Sequence, residues 1–172
     1  MSGKDIYSRR SRGFAEGLIA AVSIGGFLVL VGIIFAINQN LPQKIVDFFN
    51  DFTTVQVPNT TVNLPAPFTP AAHTLVYSAT FQFALGAAIL QILILALRLG
   101  IGSRIRRTAG TVGSLIFWFG AAYLLNNLAQ MSSTLTQSQQ LTSWFQFWSA
   151  IIILAGVSLI VRGAIVFVAR KR

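Results

Sequence analysis

The chain has 172 residues, of which 54% are hydrophobic and only 10% are charged. Soluble domains average about 25% charged residues, so this composition indicates a membrane protein. The absence of cysteine excludes disulfides, thiolate metal sites and cysteine nucleophiles. The net charge of +9 would fit a nucleic-acid-binding protein, but the positions of the charges argue against one, as shown below.

The first long apolar run extends from Gly17 to Ile37 without a charge. As a helix of about 21 residues it would be roughly 30 Å long, which is enough to cross a bilayer core. Lipid offers no hydrogen-bond partners to the backbone, so the run should be helical and membrane-spanning. It is too long for a usual signal-peptide core and no small-residue cleavage site follows it, so we expect it to be retained.

Small residues recur every fourth position along this first helix, at Gly13, Gly17, Ala21 and Gly25. Such a ridge lets a second helix approach closely. We expect the ridge to pack against another helix of the same chain, and a contact between protomers is the alternative.

Residues 38–73 contain all five prolines and are expected to form a cap outside the membrane. A helical face is predicted by the apolar positions Leu41, Ile45, Phe48, Phe49 and Phe52. This short amphipathic helix would begin near Asn40 as its N-cap. The alternation in TTVQVPNTTVNLP predicts a small β-hairpin that turns at Pro58-Asn59, followed by a stiff proline-rich return to the membrane.

Three further apolar segments follow, so the predicted spans are about 14–37, 74–97, 108–131 and 144–169. The second and third are joined by a tight, arginine-rich turn. The third and fourth are joined by an uncharged Ser/Thr/Gln-rich connection, residues 132–143. Trp144 and Trp148 suit an interfacial belt at the start of the fourth span.

The basic residues predict the orientation of the chain. All 13 lysines and arginines except Lys44 fall at one end of the four spans. The positive-inside rule places that end in the cytoplasm, and an even number of spans puts both termini on that same side. A basic inner rim of this kind attracts anionic lipid headgroups and argues against nucleic acid as the partner. We expect a multi-pass protein of the plasma membrane, and the outer-loop composition suits an archaeal or bacterial envelope.

Arg162 is a charge inside the fourth span, where charges usually face the bundle interior or a partner. Glu16 lies at a similar depth in the first span once Arg162 extends toward the inner face. We therefore predict an intramembrane Glu16–Arg162 ion pair that fixes the register of the two helices. Contact of Arg162 with lipid phosphate and a role in transport or gating are the alternatives.

Four uncharged polar residues lie within the predicted spans, namely Gln82, Gln91, Asn126 and Asn127. Interhelical hydrogen bonds are the ordinary expectation for such residues. If these residues instead lined a single water-filled pore, the protein would be a channel.

Little in the sequence indicates catalysis, and no zinc motif, nucleophile elbow or phosphate loop is present. His73, Asp47 and Asp51 are the candidates for metal or acid–base chemistry, but a solvated helix face is the expected role of the two acids. Asn59-Thr60-Thr61 matches the N-glycosylation pattern on an exposed turn. We expect no cofactor, no metal and no enzymatic activity.

Taken together, the sequence predicts one all-α membrane domain over residues 1–172. It would be a four-helix transmembrane bundle with both termini inside and a large outer first loop. This plan resembles tetraspan proteins in general. Claudins share it, but the Trp and Cys signature of their first loop is absent here, so the resemblance is one of fold alone. We expect a protein that acts by association, as a homo-oligomer or as a small subunit of a membrane complex, and an oligomeric channel or transporter is the alternative.

Overall fold

The computed structural model describes the backbone of residues 3–170, and the side chains of residue 14 and residues 16–170. This part of the chain is mostly helical, with one small hairpin. The elements in chain order are α1 (Gly3–Ile37), α2 (Leu41–Asn50), β1 (Phe52–Gln56), β2 (Asn63–Pro67), a short 3-10 helix (Pro70–His73), α3 (Thr74–Gly100), α4 (Ile105–Ala129) and α5 (Gln137–Arg170).

The four predicted apolar helices are confirmed as helices. Within the described residues, four segments are long and apolar enough to cross a membrane: Glu16–Ile37, Pro70–Gly100, Ile105–Ala129 and Gln137–Arg170. The turn between the second and third is shorter than predicted, because α3 continues to Gly100 and α4 already begins at Ile105.

The start of α5 differs most from the prediction. Residues 137–143 were expected to belong to a loop, but they form the first turns of α5. A capping box explains the difference. The Thr136 N–H donates to Gln139 Oε1 at 3.0 Å, and the Gln139 N–H donates back to Thr136 Oγ1 at 3.4 Å. This reciprocal pair satisfies two backbone donors that a helix start leaves free, so a polar segment can be helical.

The amphipathic helix of the cap is confirmed as α2. Its predicted N-cap, Asn40, occupies that position, although its side chain makes no capping hydrogen bond. Leu41 is buried, and Ile45 and Phe48 are partly buried. Phe49 is 66% exposed, so the apolar face is wider than the surface it packs against.

The predicted hairpin is also confirmed, with β1 and β2 antiparallel and Val55 opposite Leu64. At the turn, the Thr60 N–H donates to the Val57 carbonyl, and Asn59 has a φ of +61°. Pro65 and Pro67 were expected in the extended return, and they lie within β2 instead. The strand accepts them because they occupy non-hydrogen-bonded positions of the ladder, where no N–H is needed.

The long helices form a row in the order α1, α3, α4, α5. α3 packs on α4, α4 packs on α5, and α1 packs on α3; within the described residues, α1 has no contact of comparable extent with α4 or α5. The arrangement is therefore more open than the predicted bundle. Its largest buried cluster lies at the cap end, where hairpin and helices meet; the buried members are Val55, Ala66, Tyr77, Leu128, Met131, Leu141 and Trp144.

Glycine pairs set the spacing along this row. A Cβ at Gly26 of α1 would lie 2.7 Å from Leu90 Cδ1 of α3, and a Cβ at Gly86 of α3 would collide with Leu30 of α1. Each helix thus inserts a leucine over the glycine of the other, which is the close approach that small residues permit in membranes. Gly17 and Gly25 of the predicted ridge take no part in this contact.

Candidate functional site

A cavity of about 580 Å³ lies among the four long helices, at the end of the molecule opposite the cap. The lining combines five arginines with neutral polar groups and few apolar ones: Ser23, Gln91, Ile94, Arg98, Arg104, Arg106, Arg107, Gly110, Thr111, Ser114 and Arg162. This is within the usual size range of small-ligand sites. We refer to it as the arginine cavity.

The turn between α3 and α4 brings four of these arginines together. α3 ends in a Schellman motif, in which Gly102 has a φ of +62° and the Ser103 N–H donates to the Arg98 carbonyl at 2.9 Å. Glycine suits this position because it adopts a left-handed φ without steric cost. The turn therefore places Arg98, in the last turn of α3, beside the three arginines at the start of α4.

The fifth arginine, Arg162, reaches the cavity from α5. Its guanidinium lies over Gly110 of α4, where an added Cβ would be 3.9 Å from Arg162 Cζ and Nε. One turn away, Ser158 Oγ donates to the Gly113 carbonyl of α4 at 2.8 Å. This bond and the small residues of α4 hold α5 close enough for Arg162 to face the cavity.

Glu16 pairs with Arg107, and it accepts a long hydrogen bond of 3.4 Å from Ser103 Oγ. The predicted partner, Arg162, forms no ion pair with a described residue. The predicted Glu16–Arg162 pair is therefore wrong, because the partner of Glu16 is Arg107. The physical reason is the row arrangement, which packs α1 on α3 and leaves it without extensive contact with α5. Glu16 therefore ties α1 to the start of α4.

The four polar residues predicted as a lining lie in separate places. Gln82 Oε1 accepts a bond of 3.1 Å from Asn38 Nδ2, which joins α3 to the end of α1. Gln91 lines the arginine cavity. Asn127 lines a different, smaller cavity between α4 and α5 near the cap, and Asn126 is partly buried. Within one copy of the chain, Gln91 and Asn127 thus line different cavities.

The predicted ridge on α1 faces open space. A Cβ added at Gly17 or at Gly25 would meet nothing within 4 Å, and Ala21 is exposed. The surroundings of Gly13 lie outside the described residues. Packing within the chain was the expected role of this ridge, and the structure gives that role to Gly26 and Gly86 instead.

Asp51 and His73 form a compact cluster in the cap, in place of the expected solvated face. His73 is only 6% exposed, and its Nε2 lies 2.8 Å from Asp51 Oδ2. The same oxygen accepts bonds of 2.9 Å from the backbone N–H and from Oγ1 of Thr69. Partial burial raises the pKa of Asp51, but these hydrogen bonds outweigh it and hold the pKa below its ordinary value of 3.8.

The other candidates of the cap are on the surface. Asp47 pairs with Lys44 at 3.1 Å and accepts a bond from Gln43, so the expected solvated position holds for this acid. Hydrogen bonds from Gln43 and Lys44 lower the pKa of Asp47. Asn59 is exposed at the tip of the hairpin, and its glycosylation stays a prediction. Among the described residues, no group of three or more His, Asp or Glu side chains is placed to hold a metal ion.

Two glutamines that the sequence did not single out connect α5 to the cap. Gln140 Oε1 accepts a bond of 3.1 Å from the Ala71 N–H, and Gln137 Nε2 donates to the Phe68 carbonyl at 3.1 Å. The signal that would have found them is the Thr136-x-x-Gln139 capping box, which marks the helix start and so places both glutamines on its first turn.

Comparison with known proteins gives no match: no protein-family model fits the chain, and no curated protein or solved structure is significantly similar to it.

Proposed function

We propose that this chain is a non-enzymatic, multi-pass protein of the plasma membrane that acts by association with other membrane-embedded helices. It would form a homo-oligomer or serve as a small subunit of a larger membrane complex. Four long apolar helices support the membrane location. The concentration of arginine at one end supports an orientation with both termini in the cytoplasm and the cap outside.

The observation that carries the proposal is the uncovered face of α1. Gly17 and Gly25 have nothing within 4 Å of a Cβ position, while Ile24 and Leu28 are 65% and 62% exposed. A helix that faces only lipid gains contact area from large apolar side chains and little from glycine. A row of small residues flanked by large ones favours close contact with a second helix.

The cap offers a second contact surface on the outer side. It is fixed by the Asp51–His73 cluster and by the hydrogen bonds from Gln137 and Gln140, so it presents a defined shape. Its exposed apolar side chains are Val46, Phe49, Val62, Leu64 and Phe68. A rigid surface of this kind loses little entropy when it binds a partner.

An oligomeric channel is the alternative that the sequence left open. It would need Gln82, Gln91 and Asn126 or Asn127 on surfaces that face a common axis. Gln82 is engaged with Asn38, and the others lie in different places along the row. Nothing in the arrangement of a single copy therefore favours a channel over association.

Disulfide cross-linking tests the proposal directly, because the chain has no cysteine of its own. We expect an Ala21→Cys variant to form disulfide-linked dimers in native membranes under mild oxidation. An Ile153→Cys variant is the matched control, since Ile153 is also apolar and exposed but lies on α5. Adding Gly17→Leu to the Ala21→Cys variant should abolish the cross-link. Equal cross-linking at both positions, or none at Ala21, would contradict a contact through α1.

If the chain is a subunit of a larger complex, a photoactivatable maleimide attached to the Ala21→Cys variant should instead join it, after illumination, to a different protein of constant mass. This outcome would support the proposal in its second form. Flux of ions or small solutes through the reconstituted protein would favour the channel.

A further inference from the structure

We propose that the arginine cavity is a binding site for a phosphate group, supplied either by the headgroup of an anionic phospholipid or by a soluble phosphate compound. This inference rests on the cavity itself and not on the proposed association through α1. Five guanidinium groups from three helices line one volume of about 580 Å³. A guanidinium fork matches the geometry of phosphate oxygens better than any other cationic side chain does.

The charges of the cavity are mostly uncompensated by protein. The chain has four acidic residues, and two of them, Asp47 and Asp51, lie in the cap at the far end of the helices. Among the residues whose side chains are described, Glu16 forms an ion pair with Arg107 only, and the side chain of Asp5 lies outside that set. Like charges held together in a cavity repel one another, and a bound anion removes this repulsion.

Arg98 supplies an independent observation. Its Nε and Nη1 are buried, and neither has a hydrogen-bond partner among the described residues. A buried charged donor without an acceptor is costly, so such groups are normally satisfied by protein, water or a ligand. Arg98 lines the cavity, so a change in its side-chain rotamer would bring these two donors to an anion bound there.

The neutral groups of the cavity fit the same ligand. Ser23 and Thr111 already donate to backbone carbonyls of their own helices. Gln91 and Ser114 make no hydrogen bond to a described residue, so they remain free to donate to phosphate oxygens. The N-terminus of α4 lies at the same end of the molecule, and its helix dipole adds positive potential there.

The depth of the cavity is compatible with both sources of phosphate. Arg98 is in the last turn of α3, and Gln91 lies about 10 Å further along the helix, by the rise of 1.5 Å per residue. The mouth therefore lies at the level of lipid headgroups, while the floor extends into the predicted span. An anionic headgroup could enter from the membrane and a soluble phosphate from the cytoplasm.

Binding measurements on the full-length chain in a neutral detergent test this site. One arm titrates short-chain phosphatidylglycerol and the other titrates inorganic phosphate, both at constant ionic strength, with calorimetry as the readout. Saturable binding of phosphatidylglycerol alone assigns the site to a lipid headgroup, and binding of inorganic phosphate shows that a soluble source suffices. Absence of saturable binding in both arms overturns the proposal.

Substitutions separate the cavity from the general basic surface. We expect Arg162→Gln to weaken binding at least tenfold, because Arg162 lines the cavity, and Arg170→Gln to change it less than twofold, because it does not. Arg104→Gln provides a second exposed cavity position should Arg162→Gln fail to fold. Equal losses for the cavity and the Arg170 variants would show non-specific attraction and would overturn the site.

Discussion

At the scale of single residues, Asp51 is the group on which the cap depends most. One carboxylate oxygen accepts three hydrogen bonds, two from Thr69 and one from His73. The side chain is only 22% exposed, and His73 is almost fully buried. The acid thus ties the end of α2 to the segment that leads into α3, and it does so with charge-assisted bonds, which are stronger than neutral ones.

Replacement of this acid tests its role. We expect Asp51→Ala to reduce the free energy of unfolding by about 1–3 kcal/mol, because it leaves Thr69 and a buried His73 without their acceptor. Thermal unfolding of the purified protein in detergent measures the change. Asp47→Ala is the matched control, since it removes an exposed acid from the same helix and should have little effect. Equal effects of the two variants would mean that the cluster does not stabilise the cap.

The same group predicts how stability depends on pH. The pKa of Asp51 is lowered in the folded protein, so its contribution is fully present above the ordinary value of 3.8 and disappears as the pH falls through the lowered value. The difference in unfolding temperature between wild type and Asp51→Ala should therefore be constant from pH 7 to about 5 and shrink below 4. A difference that shrinks between pH 7 and 6 would assign the effect to another group.

At the scale of elements, glycines determine how the helices approach one another. The reciprocal contacts of Gly26 with Leu90 and of Gly86 with Leu30 set the separation of α1 and α3. Gly113 likewise allows α4 and α5 to approach closely, because a Cβ at this position would lie 3.1 Å from the Ser158 carbonyl oxygen. These contacts replace the hydrophobic driving force that is missing between helices in lipid.

A bulky substitution tests the α1–α3 contact. We expect Gly86→Leu to cost about 1–3 kcal/mol, since a leucine at position 86 would overlap Leu30 and must displace that side chain or separate the helices. The measurement is the unfolding temperature in detergent. Gly156→Leu is the control, because a Cβ at Gly156 of α5 meets nothing within 4 Å. Similar losses in both variants would indicate a general effect on helix formation.

The sequence predicts where each helix and strand lies along the chain far better than it predicts which helices pack against one another. Length and apolar character are enough to locate α1, α3, α4 and α5, and the periodicity of Leu41, Ile45 and Phe48 locates α2. The order of the helices in the row could not be predicted in this way, because a helix that is apolar on all sides has no hydrophobic stripe that identifies its packed face. For that reason the spacing of small residues predicts the ridge from Gly17 to Gly25 as the packing surface of α1, while the contact of α1 with α3 uses Gly26.

The arginine cavity was missed for a related reason. The sequence shows each basic residue and the inner rim they form, but the convergence of Arg98 and Arg162 on one volume depends on the order of the helices in the row. The pairing of Glu16 depended on the same information. Ionic partners between helices could be predicted only once the neighbours of α1 were known.

At the scale of the whole molecule, the two ends of the row have different chemistry. The cap end contains the main buried cluster and the acids Asp47 and Asp51. The opposite end contains the arginine cavity and, with it, most of the positive charge of the described residues. This asymmetry leads to the central claim that the row stands across the plasma membrane with the cap outside and the cavity inside.

Labelling of single cysteines in intact cells tests this claim most directly, because the natural chain has none. We expect a membrane-impermeant maleimide to label an Asn63→Cys variant, whose cysteine lies in the cap, without lysis. An Ile101→Cys variant, in the turn between α3 and α4, should be labelled only after the cells are opened. Labelling of the Ile101→Cys variant in intact cells, or protection of the Asn63→Cys variant, would contradict this orientation.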